Sequence, residues 1–316
     1  TGFVPEEDQG YFFLVAQGPE GTSLVRSDAI ATKLEKELLE IKGVADVLTI
    51  GGFNLINSTP DTASNTFILI LKPWDERKTE ELSVQGLIMT TWLKMRKHPE
   101  IVAMPFNAPP IQGLSTTGGF RFVLEDYEGG ELEELMSVAQ RLIDAAKDRP
   151  ELEQLTTSFK IDYPQIYADI DRTKAKTMGI SLNSIFNALQ AELGSVYVND
   201  FNKFGRVYRV FLQADKGFRA KKSDIGSLYV KNSAGDMVPL SGLVQVHEFR
   251  GAQTVSHYNI YRSVEIDGSP APGYSSNQAM KAMEELAAKV LPSGYGFEWT
   301  GTAYQEKKSA GMAPYI

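Results

Sequence analysis

The order in which strand and helix patterns follow one another limits the fold of this chain more than any single motif does. Runs rich in β-branched and aromatic residues alternate with segments whose apolar residues recur at helical spacing. In the first third of the chain we predict strand, helix, strand, strand, helix and strand at residues 11–17, 23–41, 44–50, 66–71, 83–97 and 101–107. This βαββαβ order is that of the ferredoxin-like unit, a four-stranded sheet with two helices on one face.

The same order recurs later, but it is interrupted. Strand, helix and strand are predicted at 120–126, 132–147 and 152–158, and the other half follows at 263–267, 277–290 and 295–300. The interruption of about ninety residues is long enough for an independent domain. It contains predicted strands at 166–171, 228–231 and 237–240 and a predicted helix at 181–193, capped by Ser181.

The predicted architecture is therefore α+β, with two ferredoxin-like βαββαβ units, the second interrupted by an inserted α+β domain. The predicted boundaries are 1–115 for the first unit, 116–163 and 255–302 for the second, 164–254 for the insertion and 303–316 for a terminal segment. A stretch rich in proline, glycine, serine and threonine at 109–119 is the predicted link between the two units.

Residues 194–213, GSVYVNDFNKFGRVYRVFLQ, are predicted to form a β-hairpin within the insertion. Two runs rich in β-branched and aromatic residues flank a polar turn region between Asn202 and Gly205. An isolated hairpin is marginally stable in water. The hairpin therefore requires a partner surface, either in this chain or in another one.

Composition argues against several classes of function. The net charge is −8 and no long run of Lys or Arg occurs, which disfavours a nucleic-acid partner. No segment approaches the ~20 apolar residues of a membrane span, and the first residues lack the pattern of a signal peptide. The chain has no cysteine, which excludes disulfides and thiolate chemistry. Because it lacks an initial Met and turns apolar at 311–316, we expect an excised segment.

The polar residues form no pattern that indicates an enzyme. His98, His247 and His257 lack the spacing of metal ligands. The acidic pairs at 133–134 and 284–285 are more typical of solvated helix faces than of two acids that converge on a cleft. No glycine-rich loop stands between a strand and a helix as nucleotide binding requires. We therefore predict no enzymatic activity, no metal and no cofactor.

Eight short motifs, each weak alone, occur in one order along the chain. They are PEEDQG at 5–10, KPWDER at 72–77, FNAPPI at 106–111, DIDRTKAKTMGIS at 169–181, YVNDF at 197–201, GRVYRVFLQAD at 205–215, DIGSLYVKNSAGDMVPLS at 224–241 and WTGTAYQE at 299–306. Together they resemble the second large periplasmic loop of resistance-nodulation-division (RND) efflux transporters of the hydrophobe/amphiphile branch. The resemblance covers essentially the whole chain.

This resemblance implies that the two βαββαβ units are porter subdomains, that the insertion is a docking subdomain, and that 303–316 leads to a missing transmembrane helix. It implies a location on the periplasmic side of the bacterial inner membrane, within a homotrimeric, proton-driven pump for drugs and other lipophilic molecules. The implied partners are a membrane-fusion adaptor and an outer-membrane channel. The residues that couple transport to protons are expected in membrane helices outside this chain.

The resemblance also implies two groups of functional residues. The substrate-binding positions fall on a flexible loop at 51–65 that separates two pockets, on the strand after it and on the strand at 101–107. They are Phe53, Leu55, Ile68, Met104, Phe106 and Ala108, and Phe159 or Lys160 lies near a further position that is often polar or basic. The docking positions lie on the hairpin, which interlocks neighbouring protomers in the family; they are Tyr197, Asn199, Asp200, Phe201 and Phe204.

Other interpretations stay open at this point. An aromatic residue on a strand belongs to a core more often than to a pocket, so the pocket positions have a purely structural alternative. A free-standing soluble adaptor or structural module that has kept the docking surface is the second hypothesis for the whole chain. An acid/base hydrolase is the third, and it would need two acids in one cleft.

Overall fold

The computed structural model describes residues 7–109, 111 and 119–310. The predicted link at 109–119 and the apolar end at 311–316 lie almost wholly outside these residues, as does the start of the motif at 5–10. The chain divides into two compact units, one formed by Thr1–Tyr163 with Ala252–Ile316 and the other by Pro164–Gly251. Within the described residues, no helix combines the length and apolarity that crossing a bilayer requires.

The fifteen strands and seven α-helices of the described residues are numbered in chain order. The larger unit begins with β1 (Tyr11–Gln17), α1 (Leu24–Leu39), β2 (Val44–Asn54), β3 (Thr59–Leu71), α2 (Val84–Met95), β4 (Val102–Asn107), β5 (Phe120–Asp126), α3 (Leu132–Ala146) and β6 (Leu152–Thr157). Then follow β7 (Tyr163–Ile170), α4 (Arg172–Thr177), α5 (Leu182–Leu189), β8 (Val196–Lys203), β9 (Arg206–Leu212), β10 (Tyr229–Lys231), β11 (Met237–Pro239) and β12 (Val244–Gly251). The chain ends with β13 (Ser256–Tyr258), β14 (Tyr261–Pro270), α6 (Ser276–Val290), β15 (Tyr295–Thr300) and α7 (Gly301–Ala310).

The first sheet has the strand order β2-β3-β1-β4 and is antiparallel throughout. Its elements follow the predicted βαββαβ order, and both helices start at a serine whose side chain accepts a backbone N–H, Ser23 for α1 and Ser83 for α2. Helices α1 and α2 cover one face of this sheet. The core between them contains Phe12, Leu14, Phe67, Leu69, Leu34, Leu38, Leu87 and Met95.

The prediction of a loop at 51–65 is wrong. β2 and β3 continue through it as a paired hairpin, with Gly51 opposite Asn65 and Asn54 opposite Thr59. The polar side chains that suggested a loop are buried and bonded to one another: Asn54 donates to Ser64, and Ser64 donates to Asp61 at 2.6 Å. A satisfied polar network can therefore hold two strands together where apolar alternation is absent.

The second sheet is formed by β13, β14, β5 and β15 in that order, with β6 also paired to β14. It follows the predicted strand, helix and strand segments on both sides of the interruption. Helices α3 and α6 contribute to its core, which includes Phe122, Leu124, Leu135, Leu142, Ile266, Met283 and Trp299. The indole N–H of Trp299 donates to Glu284 at 2.9 Å, so a polar group at the edge of this core is satisfied.

The smaller unit contains three two-stranded sheets, β7 with β12, β8 with β9 and β10 with β11. Ser181 caps α5 as predicted, and a π-helical turn, Gln190–Gly194, extends this helix. Its core includes Ala175, Ile180, Ile185, Val230 and Leu240. The sequence interpretation missed α4 and β12 because Ala175 is the only buried residue of α4, and Val244 is the only buried residue of β12.

Candidate functional site

The face of the first sheet that lies away from α1 and α2 is apolar; we call it the open face. Side chains alternate between the two faces of a strand. Because Phe12 and Leu14 point into the core, Phe13 points to the open face. Phe13 stands opposite Ile68 on β3 and Phe106 on β4, and its ring centroid is 5.5 Å from that of Phe106.

Three predicted substrate-binding residues are brought together on the open face. Ile68 and Phe106 flank Phe13, and Met104 stands opposite Val15 one step further along the same strands. All three predicted side chains are half-buried. The structure thus joins residues that are more than thirty positions apart into one surface of aliphatic, aromatic and thioether groups.

The sequence interpretation missed the other members of the open face. Leu48 stands opposite Ile68 and is 53% exposed, and Val102 at the sheet edge is 63% exposed. Ile50 and Ile70 are also exposed. The available signal was the run YFFLVA in β1, which is apolar without alternation and so indicates a strand with two apolar faces. An exposed apolar sheet face of this kind marks an interaction site.

Phe53 and Leu55 lie at the far end of the β2–β3 hairpin, where both are half-buried. Thr66 holds this end in place: its hydroxyl donates to the carbonyl of Phe53 at 2.8 Å and accepts the N–H of Leu55 at 3.2 Å. Hydrogen bonds to β3 thus hold Phe53 at the end of β2 and Leu55 in the turn that follows.

Ala108 and Phe159 lie outside the four strands of the first sheet. Ala108 is buried just after β4, and its N–H donates to the Asn107 side chain at 2.9 Å. Phe159 packs against the core of the second sheet. Their contribution to substrate binding stays a prediction.

The predicted hairpin is present as β8 and β9, which pair with each other. Its turn consists of Phe204 and Gly205, both with positive φ (52° and 71°), where the sequence had indicated the wider region from Asn202 to Gly205. Two positive φ values are those of a type I′ turn, which matches the twist of paired strands. The turn places the Phe204 side chain at the tip, 86% exposed.

The exposed aromatic side chains of the hairpin pair with each other across its two strands. Phe201 stacks on Tyr208 at a centroid distance of 5.3 Å, and Tyr197 meets Phe211 at 5.8 Å. A hydrogen bond to Asp200 raises the pKa of Tyr197, and Asn199 accepts the N–H of Asp200 at 2.8 Å. All five predicted docking residues are exposed on this one hairpin.

The second sheet presents a charged surface where the first presents an apolar one. Arg121 on β5 lies 2.7 Å from Asp267 and 3.1 Å from Glu265, both on β14. Burial raises the pKa of Glu265, while the Arg121 charge opposes that shift. These oppositely charged side chains pair with one another on this sheet.

Histidines and acids elsewhere have structural contacts. His98 is buried, with Nε2 2.9 Å from Glu37 on α1 and Nδ1 3.4 Å from Lys33. Throughout residues 7–109, 111 and 119–310, no group of three His, Asp or Glu side chains is arranged to hold a metal ion.

The apolar sheet face of the larger unit and the exposed aromatic hairpin of the smaller unit are each typical of surfaces that bind other molecules. The chain is 36% identical over 319 residues to the multidrug export protein AcrF of Escherichia coli (strain K12), covering 100% of this chain and 31% of that protein. It is 35% identical over 318 residues to the multidrug/solvent efflux pump membrane transporter MepB of Pseudomonas putida, covering 100% and 30%. Against the multidrug resistance protein MdtF of Escherichia coli (strain K12), the identity is 35% over 319 residues, covering 100% and 30%.

The whole chain, residues 1–316, matches the AcrB/AcrD/AcrF family. The chain belongs to this family of RND multidrug efflux transporters, which confirms the resemblance drawn from the eight motifs. It spans less than a third of the length of the relatives it matches, 30% of MepB and 31% of AcrF.

Proposed function

We propose that this chain is the periplasmic substrate-binding and docking portion of an inner-membrane, proton-driven pump that exports hydrophobic and amphiphilic compounds. The observation that carries this proposal is the open face. Apart from the buried Val15, its apolar side chains are partly or fully accessible on a sheet whose other face already packs on a complete core. Relatives named for multidrug export and solvent efflux support it.

The chemistry of the open face suits a broad range of lipophilic ligands. Phe13, Phe106 and Met104 offer polarizable surface with few fixed hydrogen-bonding groups, and such surfaces accept different shapes by repacking. A pocket normally buries most of its ligand, but one sheet face covers only one side of it. The isolated chain should therefore bind lipophiles weakly, with dissociation constants no lower than about tens of micromolar.

We assign the predicted domains accordingly. Residues 1–115 and the split unit 116–163 with 255–302 act as porter subdomains, and 164–254 acts as the docking subdomain. The hairpin of β8 and β9 contacts neighbouring protomers of a homotrimer, with a membrane-fusion adaptor and an outer-membrane channel as further partners. Its exposed Phe201 and Phe204 support this assignment, because aromatic side chains are enriched at protein interfaces.

The test uses the parent protein in source cells. Antibody raised against this chain should detect, in the inner-membrane fraction, a band much larger than 34.9 kDa. Cells that lack the gene should accumulate a lipophilic dye, and the wild-type gene should restore its export. Phe106→Ala should reduce the restored export, whereas Phe218→Ala, which removes an exposed aromatic from the smaller unit, should not.

The results separate this proposal from the alternative. A soluble band of the size of this chain would favour a free-standing adaptor or structural module. Export that is unchanged by Phe106→Ala and by Met104→Ala, with normal protein levels, would remove the open face from substrate binding.

A further inference from the structure

A groove of about 310 Å³ lies within the smaller unit. Its apolar lining includes Ile166 and Ala168 of β7, Leu189 at the end of α5 and Leu193 in the π-helical turn that follows. We call it the basic groove because of its rim, described next. Its volume is at the lower limit of sites that hold drug-sized ligands.

The rim of the basic groove carries three cations that are close in sequence, Arg219, Lys221 and Lys222. Arg219 is oriented by a hydrogen bond from its Nε to the carbonyl of Ala214 at 2.9 Å. Within the described residues, neither Arg219 nor Lys221 forms an ion pair, while Lys222 pairs with the exposed Glu248 at 3.0 Å.

The nearest acid on this segment is already engaged. Asp224 accepts the backbone N–H of Lys221 at 2.9 Å and so closes the turn that carries the cations. The segment is thus held in shape by its own backbone contacts, and the positive charge of Arg219 and Lys221 is not offset by a paired carboxylate. In a chain of net charge −8, Arg219 and Lys221 thus stand beside apolar lining residues without an ion-pair partner in the described part of the chain.

We propose that the basic groove binds a small amphiphilic anion, one alkyl chain with a sulfate or carboxylate head. The chain would lie on Leu189, Leu193 and Ile166 and lose its contact with water. The head would accept hydrogen bonds from Arg219 and Lys221, which are stronger when the acceptor is charged. The site does not depend on the proposed efflux function, because it uses no residue of the open face.

Isothermal titration calorimetry of the full chain with octyl sulfate, below its micelle concentration, tests this inference. We expect saturable binding of one equivalent. Hexyl sulfate, shorter by two methylenes, should bind about ten-fold more weakly. Octyltrimethylammonium should not compete, and inorganic sulfate should not bind measurably.

Variants locate the site. Ala220 is exposed and lines the groove, so Ala220→Trp should fill it and abolish binding without unfolding the unit. The double variant Arg219→Gln/Lys221→Gln should weaken octyl sulfate binding about ten-fold or more. Lys231→Gln removes an exposed cation of β10 in the same unit and serves as the matched control, with unchanged affinity expected.

Three results would contradict the inference. The first is equal affinity for octyl sulfate in Ala220→Trp, in the double variant and in the wild type, which would mean adventitious binding elsewhere. The second is a loss of octyl sulfate binding in Phe106→Ala, which would place the ligand on the open face. Competition by octyltrimethylammonium at similar concentration would also contradict the role of the basic rim.

Discussion

Phe204, at the tip of the hairpin, adopts a backbone conformation that its side chain disfavours. Its φ is 52°, in the left-handed region, where a residue with a bulky side chain is a genuine outlier. The cost of that conformation is about 1–2 kcal/mol. Asparagine tolerates it better, and Asn-Gly is a preferred sequence for a type I′ turn. Phe204→Asn should therefore relieve most of this strain.

One favourable contact opposes the gain. The Lys203 ammonium lies 5.1 Å from the centre of the Phe204 ring, a cation–π contact worth about 0.5–1 kcal/mol at an exposed site. The net stabilisation of the hairpin by Phe204→Asn should then be about 0.5–1 kcal/mol. Because the hairpin can open locally, amide hydrogen exchange in β8 and β9 should slow about two- to five-fold.

Phe204→Ala is the control for this prediction. Alanine keeps the strained conformation, because it has a Cβ, and it loses the cation–π contact. Exchange in the hairpin should therefore be unchanged or faster in this variant. If Asn and Ala at position 204 gave the same exchange rates, backbone strain would not explain the difference. If docking is the role of Phe204, Phe204→Asn should also weaken assembly of the parent pump while it stabilises the hairpin.

Three further predictions concern stability. Asp8→Asn should cost about 1–3 kcal/mol in urea unfolding, because it weakens the 2.8 and 3.0 Å bonds to Arg77, whose side chain is 1% exposed. Partial burial raises the pKa of Asp8, but the hydrogen bonds from Arg77 outweigh this and lower the pKa below 3.8. The wild type should therefore lose this stability as the pH falls through that lowered pKa. Glu125→Gln should stabilise the protein at pH 7, since burial raises the pKa of Glu125 above 4.5, and the gain should vanish below pH 4.5. Gly296→Ala should lower thermal stability by about 1–2 kcal/mol because the new Cβ would collide with the Tyr127 ring.

Each of these stability predictions has a control variant or an outcome that would contradict it. Asp75→Asn, at an exposed acid without an ion pair in the described residues, should leave stability and its pH dependence unchanged. Tyr127→Ala should restore stability in the Gly296→Ala background, since it removes the group that the Cβ meets. If Glu125→Gln destabilised the protein equally at pH 4 and pH 7, the carboxylate would contribute through packing rather than through its charge.

Local chemistry made much of the fold predictable. Ser181 was predicted to cap its helix, and its side chain does accept a backbone N–H of the first turn. The strand at 11–17 has the predicted bounds. Such features depend on residues within one or two turns of each other, so the sequence pattern carries them completely.

The segment at 51–65 shows where this reasoning fails. Its threonines, serines and asparagines are typical of loops, but Ser64 and Asn65 are buried and bonded, Asn65 to Ser27 of α1 at 2.8 Å. That partner lies 38 positions away. Strand formation here depends on tertiary hydrogen bonds, which overrule local propensity. The same holds for the candidate site, since Phe13 meets Phe106 only through the pairing of β1 with β4.

The two sheets show that connectivity does not determine function. Both carry two helices on one face, and both have a central strand, β1 or β5, with aromatic and aliphatic residues toward the helices. On the other face, the first sheet places Phe13 between Ile68 and Phe106, whereas the second places Arg121 opposite Asp267. A ligand that avoids water gains from the first surface and would have to desolvate ion pairs on the second. Within these repeated units, lipophilic binding should therefore depend on the first sheet, and exchanging Phe13 for a charged residue should affect it more than neutralising Arg121.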